Sequence, residues 1–271
     1  MPFLTVRVSD FDKTLTKEHT FGRAKFYNPQ NNTKEGLESI VRHDAENIFA
    51  VATHNPNPEY ILDYLLPLLK LTREDIIKKV LHAYPTHTIT AYYLKNSPHP
   101  LLISTVDRQE HRNKGKKIAL EDLLKHLPPC DEHIFYDDDP LNIIDACALP
   151  QFVVHQVTRT DASFKIDYKQ TLISYLFFCK ARREEDIREY NGWGSFLSFN
   201  LFGFSRTAEI KAADALIEAL KSDTPLDRTH IAALSQGRLG TFICQWQLEY
   251  GLRWLDLVTV VSPSQNFIHT L

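Results

Sequence analysis

Short apolar runs and helically spaced segments alternate over the first part of the chain. The short runs, which predict β-strands, cover residues 3–8, 47–53, 133–138 and 151–157. The segments with apolar residues at helical spacing, which predict α-helices, cover residues 57–70, 72–83 and 115–127. Two alternating stretches within residues 86–106 predict a β-hairpin. Alternation of strands and helices indicates an α/β fold with a mainly parallel sheet.

The pattern changes near residue 165. Three helical segments and little strand signal follow, and they cover residues 168–190, 206–222 and 227–255. Ser205 and Asp227 stand where N-caps would precede two of these helices. We therefore predict an α/β domain over residues 1–165 and an α-helical C-terminal module over residues 166–271.

Composition and charge narrow the classes of function. The 271 residues carry a net charge of −3, which gives no electrostatic reason to expect nucleic-acid binding. The four cysteines show neither CxxC pairing nor metal-ligand spacing, as expected for reduced thiols inside a cell. Charge at Arg7 and Asp10 argues against a signal peptide, and no run is long enough to span a bilayer. We expect a soluble protein.

Polar chemistry follows the predicted strands at the point where each strand ends. Asp10 and Asp12 follow the first strand, Thr53 ends the second, and Asp138 ends the third. In open parallel sheets the carboxyl ends of the strands form the edge at which ligands bind, so we expect these side chains to converge, with Lys114 beside them. Clustered carboxylates repel one another unless a cation compensates, and Mg²⁺ is the oxygen-ligated ion that suits carboxylates and a phosphate.

These residues resemble the four motifs of the haloacid dehalogenase (HAD) superfamily of phosphatases. "DFDKTLT" is similar to the first motif, D-x-D-x-T, and the other three are matched in order over residues 1–157 by Thr53 in "VATHN", Lys114 in "NKGKK" and the acidic run "FYDDDPLNI". The resemblance implies a Rossmann-like sheet and a Mg²⁺-dependent phosphatase. Neither insertion between the motifs contains a full domain pattern, so we expect a small or absent cap.

The resemblance also implies roles for individual residues. Asp10 would be the nucleophile that forms a phospho-aspartyl intermediate, and Asp12 would be the general acid/base and a metal ligand through its carbonyl. Thr53 and Lys114 would bind the phosphoryl group, with His54 as a neighbouring candidate.

Asp138 would complete the metal shell with Asp10, and Asp137 or Asp139 would be a neighbour or second ligand. Which of these aspartates contacts the metal is left open, and Asn142 is assigned no more than a positioning role. Lys116 and Lys117 are alternatives to Lys114.

An open site would admit bulky substrates. We therefore favour phosphoprotein, and phosphotyrosine in particular, over small phosphate esters. The alternatives are a small-metabolite phosphatase, a phosphotransferase or polynucleotide 3′-phosphatase, and an inactive scaffold that binds a partner through its helices.

The C-terminal segment from "EYNGWGSFLSFNLFGF" onward is similar to a helical module of secreted effectors from intracellular bacterial pathogens. That resemblance implies an enzyme that acts on host phosphoproteins inside a host cell, with host-protein or membrane contact through the module. Residence in the bacterial cytoplasm is the alternative.

Overall fold

The computed structural model describes most of the chain. The described residues are 3–20, 29–83, 87–95, 97–106, 116–191, 203–222, 224–235 and 237–258. They divide into two compact units, Met1–Ser174 and Tyr175–Leu271, which are treated separately below.

The first unit is built around a seven-stranded sheet. Its strands, in chain order β1 to β7, are Thr5–Ser9, Asn47–Thr53, Ile76–Ala83, His87–Leu94, Leu101–Val106, Glu132–Asp137 and Phe152–Gln156. Their order across the sheet is β3-β4-β5-β2-β1-β6-β7. The five strands from β5 to β7 along this order pair in parallel, and β3 and β4 add antiparallel pairs. The sheet is thus mostly parallel and the unit belongs to the α/β class, as predicted.

Helices accompany the strands of this sheet. They are α1 (Pro29–Asn32), α2 (Pro58–Leu69), α3 (Lys117–Leu124), α4 (Pro140–Ala146) and the start of α5 (Tyr168–Asn191). Asn57 caps α2 by accepting a hydrogen bond from the backbone N–H of Tyr60, and Pro58 supplies the fixed φ of the first helical position. The buried face of α2 packs with Phe11, Phe49 and other apolar residues of the sheet in one core cluster. Burial of this cluster holds the end of β1 in place.

Two predictions concern the antiparallel end of the sheet, and the structure confirms one of them and contradicts the other. The predicted hairpin is confirmed, because β4 and β5 pair antiparallel. The helix predicted over residues 72–83 is wrong, because Ile76–Ala83 forms strand β3 against β4. Its β-branched residues, Ile77 among them, suit a strand, and backbone pairing with β4 outweighs a weak helical periodicity.

The second unit is helical in its described residues. It contains most of α5, then α6 (Gly203–Ser222), α7 (Arg228–Leu234) and α8 (Gly237–Tyr250). Asp227 caps α7 as predicted, by accepting from the backbone N–H of Thr229, whereas α6 begins before the predicted cap Ser205. The resemblance of this region to effector modules stays a prediction.

The single helix predicted over residues 227–255 is wrong, because the segment forms two separate helices, α7 and α8. A Cβ at Gly240 would lie 2.6 Å from the carbonyl carbon of Ser235, so the first turn of α8 approaches the end of α7 too closely for a side chain. Helical periodicity continues through such a break, which is why sequence pattern alone misses it.

Among the described residues, no helix combines the length and the apolarity needed to cross a membrane.

Candidate active site

The carboxyl edge of the sheet brings three chain segments together. Strand β1 lies between β2 and β6 in parallel, with Ser9 opposite Val51 on one side and Tyr136 on the other. The residues that follow each strand therefore meet at one edge. The chain crosses from β1 to β2 on one side and later returns to β6 on the other, a reversal of strand order at which α/β sheets form ligand-binding crevices.

Three buried aspartates converge at this edge. Asp10, Asp137 and Asp138 each offer a carboxylate oxygen, and these oxygens all lie within 4.8 Å of one another. The three residues are at most 7% exposed. Carboxylates this close and this dry cannot all be ionised without nearby cations.

Lys116 is the cation at the centre of the cluster. Its Nζ lies 2.5 Å from Asp10 Oδ1 and 2.7 Å from Asp137 Oδ2, and the residue is 1% exposed. Burial alone would lower the pKa of Lys116, but the carboxylates of Asp10 and Asp137 more than offset this and raise its pKa above the usual range. Lys116 therefore stays protonated between the two aspartates.

Asp137 is fixed mainly by structural partners. Its Oδ2 also accepts from Asn142 Nδ2 at 3.0 Å, and its Oδ1 accepts from the backbone N–H of Asp139 at 2.8 Å. Burial raises the pKa of Asp137 to about 7; Lys116 lowers it and the carboxylates of Asp10 and Asp138 add to the rise. Asn142 therefore positions this carboxylate, the role that the sequence suggested for it.

Asp138 connects the turn after β1 with the loop after β7. Its Oδ1 accepts from Thr14 Oγ1 at 3.0 Å, and its Oδ2 pairs with Arg159 Nε at 2.6 Å. Asp139, the third member of the acidic run, accepts from the backbone N–H of Leu141 and caps α4 instead. Of the three successive aspartates, Asp137 and Asp138 thus lie in the carboxylate cluster.

Asp12 points to different partners. Its Oδ1 accepts from the backbone N–H of Thr20 at 2.8 Å and from the Thr20 hydroxyl at 2.5 Å. Its Oδ2 lies 3.3 Å from Asn55 Nδ2 and 3.5 Å from His19 Nδ1. The side chain of Asp12 is held by neutral donors and an imidazole, which separates it from the lysine-paired carboxylates.

A tight turn after β1 produces this separation. The backbone N–H groups of Leu15 and Thr16 both donate to the carbonyl of Phe11, and Lys13 adopts a left-handed conformation with φ 66°. A non-glycine residue rarely adopts this conformation, and such strain tends to occur where function fixes the backbone.

The phosphate-binding candidates lie at the end of β2. Thr53 is buried, and its Oγ1 accepts from the backbone N–H of Asn55 at 3.1 Å. His54 occupies the turn that follows and is half-buried. Both therefore stand at the same sheet edge as Asp10.

The predicted lysine, Lys114, lies outside the described residues. Lys116, which the sequence left open as an alternative, makes the contacts with Asp10 and Asp137, and Lys117 is exposed as the first residue of α3.

Sequence reasoning missed two groups at this site. The hold on Asp12 by Thr20 was not foreseen, because nothing in the sequence shows that residue 20 folds back over the turn. Arg159 was also missed, since it follows the seventh strand and no motif marks it. The amide of Asn55, which ends the "VATHN" stretch, also joins this network by donating from Nδ2 to Thr20 Oγ1 at 2.7 Å.

No protein-family model matches the chain, and neither does any curated protein or any solved structure.

Proposed function

We propose that the protein is a Mg²⁺-dependent phosphatase of the HAD type that hydrolyses phosphate monoesters through a phospho-aspartyl intermediate at Asp10. The observation that carries the proposal is the position of Lys116 Nζ between Asp10 and Asp137, 2.5 and 2.7 Å from their oxygens. A buried cation so placed pairs with the carboxylate that would attack phosphorus. The same charge would stabilise the oxygens of an incoming phosphoryl group.

The two aspartates of the first motif would then act in sequence. Asp10 attacks phosphorus, the bond to the leaving oxygen breaks, and Asp12 gives that oxygen its proton. Asp12 next takes a proton from water, the water oxygen attacks phosphorus, and inorganic phosphate leaves as Asp10 is regenerated. The hydrogen bonds from Thr20 and Asn55 hold Asp12 apart from the Lys116 pair, so the two carboxylates have different surroundings and different tasks.

The donor set suits a magnesium ion. Asp10, Asp137 and Asp138 offer oxygen ligands only, and these three buried carboxylates pair with two cations, Lys116 and Arg159. Both oxygens of Asp137 accept hydrogen bonds, from Lys116, Asn142 and Asp139, and both oxygens of Asp138 have partners in Thr14 and Arg159. The ion would therefore compete with these partners for either carboxylate. When bound, the ion would neutralise phosphoryl oxygens and orient the substrate for in-line attack.

Bulky substrates are favoured because the described residues hold no cap domain over the edge. Between Asp10 and strand β2 the described chain forms α1 and the 3₁₀ turn Leu37–Ser39. Between Thr53 and Lys116 it forms α2, the 3₁₀ turn Arg73–Asp75 and strands β3 to β5. We therefore favour phosphoprotein, with phosphotyrosine as the side chain long enough to reach Asp10.

Hydrolysis of an aryl phosphate tests the proposal. Wild-type protein should turn over with Mg²⁺ and stop in EDTA, and Asp10→Asn should lose at least about 1,000-fold in kcat because the nucleophile is gone. Asp139→Asn is the matched control: the same change two residues from Asp137, where asparagine still caps α4, should keep activity within about twofold. Equal activity of Asp10→Asn and wild type would refute the mechanism. Phosphotyrosine peptides compared with sugar phosphates then test the substrate class.

A further inference from the structure

Arg159 is the charged group at the site edge to which the proposed chemistry assigns no task. It follows β7 on a loop that returns antiparallel to itself: Val157 bridges Ile166, and the backbone N–H of Thr158 donates to the carbonyl of Lys165 at 2.9 Å. Its guanidinium reaches back to Asp138 by Nε. The loop therefore places a cation directly beside the carboxylate cluster.

A buried lysine fixes this loop. Lys34 is 1% exposed, and its Nζ donates to the carbonyl of Thr158, the residue before Arg159, at 2.5 Å. Burial lowers the pKa of Lys34 to about 8, while Asp138 and Asp161 work in the opposite direction. Lys34 thus fixes the backbone next to Arg159 from inside the unit, and the charges of Asp138 and Asp161 offset part of the cost of burying it.

The guanidinium is only partly used by the fold. Asp138 takes Nε, and among the described residues the two terminal nitrogens of Arg159 have no hydrogen-bond partner. The Arg159 side chain is 58% exposed, whereas that of Asp138 is 4% exposed. One edge of the guanidinium thus contacts the buried cluster, and two donors in the fork geometry that binds a carboxylate remain available.

We propose that Arg159, positioned by Lys34 through the Thr158 carbonyl, binds a carboxylate of the substrate next to the phosphoryl group. The preferred substrates are then phosphopeptides with an acidic residue beside the phosphorylated one. The inference rests on the proposed phosphatase function. The aspartates around Arg159 repel an anion; Lys34 offsets this repulsion in part, and a magnesium ion held by these aspartates would offset it further.

Paired phosphotyrosine peptides that differ in one residue test the proposal. In each pair the residue next to phosphotyrosine is Glu or Gln, which changes charge and keeps size, and the readout is the ratio of the two kcat/KM values. Wild type should prefer Glu by about tenfold, with the difference in KM. Arg159→Gln should reduce the ratio to about twofold or less, and Arg159→Lys, which lacks the fork, should stay well below wild type.

Two further variants separate recognition from general damage. Lys165→Gln removes a cation from the same loop, and its side chain pairs with Asp161 at 3.6 Å rather than with Asp138, so the preference should survive. Lys34→Met should lower the ratio while the fold, followed by circular dichroism, is kept. Because each ratio compares two substrates of one variant, a loss of metal or of turnover common to both cancels.

The outcomes distinguish the two proposals. Equal kcat/KM for the Glu and Gln peptides in wild type, or an unchanged ratio in Arg159→Gln, overturns the role of Arg159 while hydrolysis itself stands. If the wild-type protein hydrolyses neither the peptides nor the aryl phosphate, the proposed function is refuted, and the role of Arg159 is refuted with it.

Discussion

The two units of the chain bury different kinds of side chain. Among its described residues, the sheet unit buries seven charged side chains, and five of these are the site residues Asp10, Asp12, Lys116, Asp137 and Asp138. In the described part of the helical unit, Glu209 is the buried charged residue, and it pairs with Arg183 at 2.6 Å. The remaining core there is apolar. Buried ionic clusters contribute little to stability for their desolvation cost, so stability alone does not account for their concentration at one sheet edge.

The largest effect on activity and stability is expected from removing the charge of Lys116, which leaves the buried carboxylates without their cation. Lys116→Met should lower kcat by about 1,000-fold, because Asp10 loses its counter-ion and the phosphoryl oxygens lose a donor. The same change should lower the free energy of unfolding by about 3 to 5 kcal/mol, because two carboxylates remain buried without the lysine. Aryl phosphate kinetics and urea unfolding measure the two effects.

Lys114→Met is the matched comparison and tests the residue that the sequence favoured. It should keep kcat within about twofold. A large loss in Lys114→Met with normal turnover in Lys116→Met would reverse the assignment.

In the helical unit, substitution of a buried residue should lower stability without changing activity. Leu216 is fully buried in α6, and Leu216→Ala should lower the free energy of unfolding by about 3 kcal/mol through lost apolar burial and a cavity. Leu248→Ala, at a position 84% exposed, should change it by less than about 0.5 kcal/mol. Urea unfolding measures both, and aryl phosphate turnover below the transition should be unchanged. A loss of kcat in folded Leu216→Ala would contradict the expectation that buried residues of the helical unit affect stability but not activity.

Acid should destabilise the sheet unit through His155. This ring stacks on Tyr136 with centroids 5.2 Å apart, and burial lowers its pKa to about 4. Because the unfolded chain takes up the proton near pH 6.5, stability from a neutral His155 is complete above that pH and is lost as the pH falls towards 4.

The expected loss between those pH values is about 3 kcal/mol in wild type relative to His155→Phe, which keeps an aromatic ring without the titration. Urea unfolding at several pH values between 7 and 4 gives the difference between the two proteins, in which the other titrating groups cancel. A difference that does not change with pH would contradict the assignment.

The smallest effect concerns the position of Asp12. Thr20→Val removes the 2.5 Å hydrogen bond to Asp12 Oδ1 and should lower kcat about tenfold with KM little changed, because proton transfer needs an oriented carboxylate. Thr20→Ser retains the hydroxyl and should restore kcat. An unchanged kcat in Thr20→Val would show that the hydrogen bond has no catalytic part.

The sequence predicted those elements whose residue pattern is sufficient to identify them without knowledge of their neighbours in the fold. Strand β2 was predicted with its observed bounds, because "NIFAVAT" is continuously apolar and a buried parallel strand needs that pattern. Strand β3 was mistaken for a helix, because its identity depends on β4, a partner whose position local periodicity does not reveal. The break between α7 and α8 likewise reflects packing around Gly240.

The site residues likewise comprise some that the sequence could predict and some that it could not. Asp10, Asp12 and Asp138 follow strands that the apolar pattern predicts, and the parallel register brings the ends of those strands together. A run of three lysines within four residues gives no local sign of which one faces the carboxylates, and the structure places Lys116 there. Arg159 and Thr20 reach the site through loops, and their contacts arise only from tertiary structure.

Trapping the intermediate tests the central claim most directly. Wild-type protein would be mixed with an aryl phosphate and Mg²⁺, quenched in acid within the first turnover and digested for mass spectrometry. The account predicts one added phosphoryl group on the peptide that contains Asp10, absent in Asp10→Asn and present in Asp139→Asn. Turnover with no phosphorylated peptide, or with the group on another residue, would contradict the account.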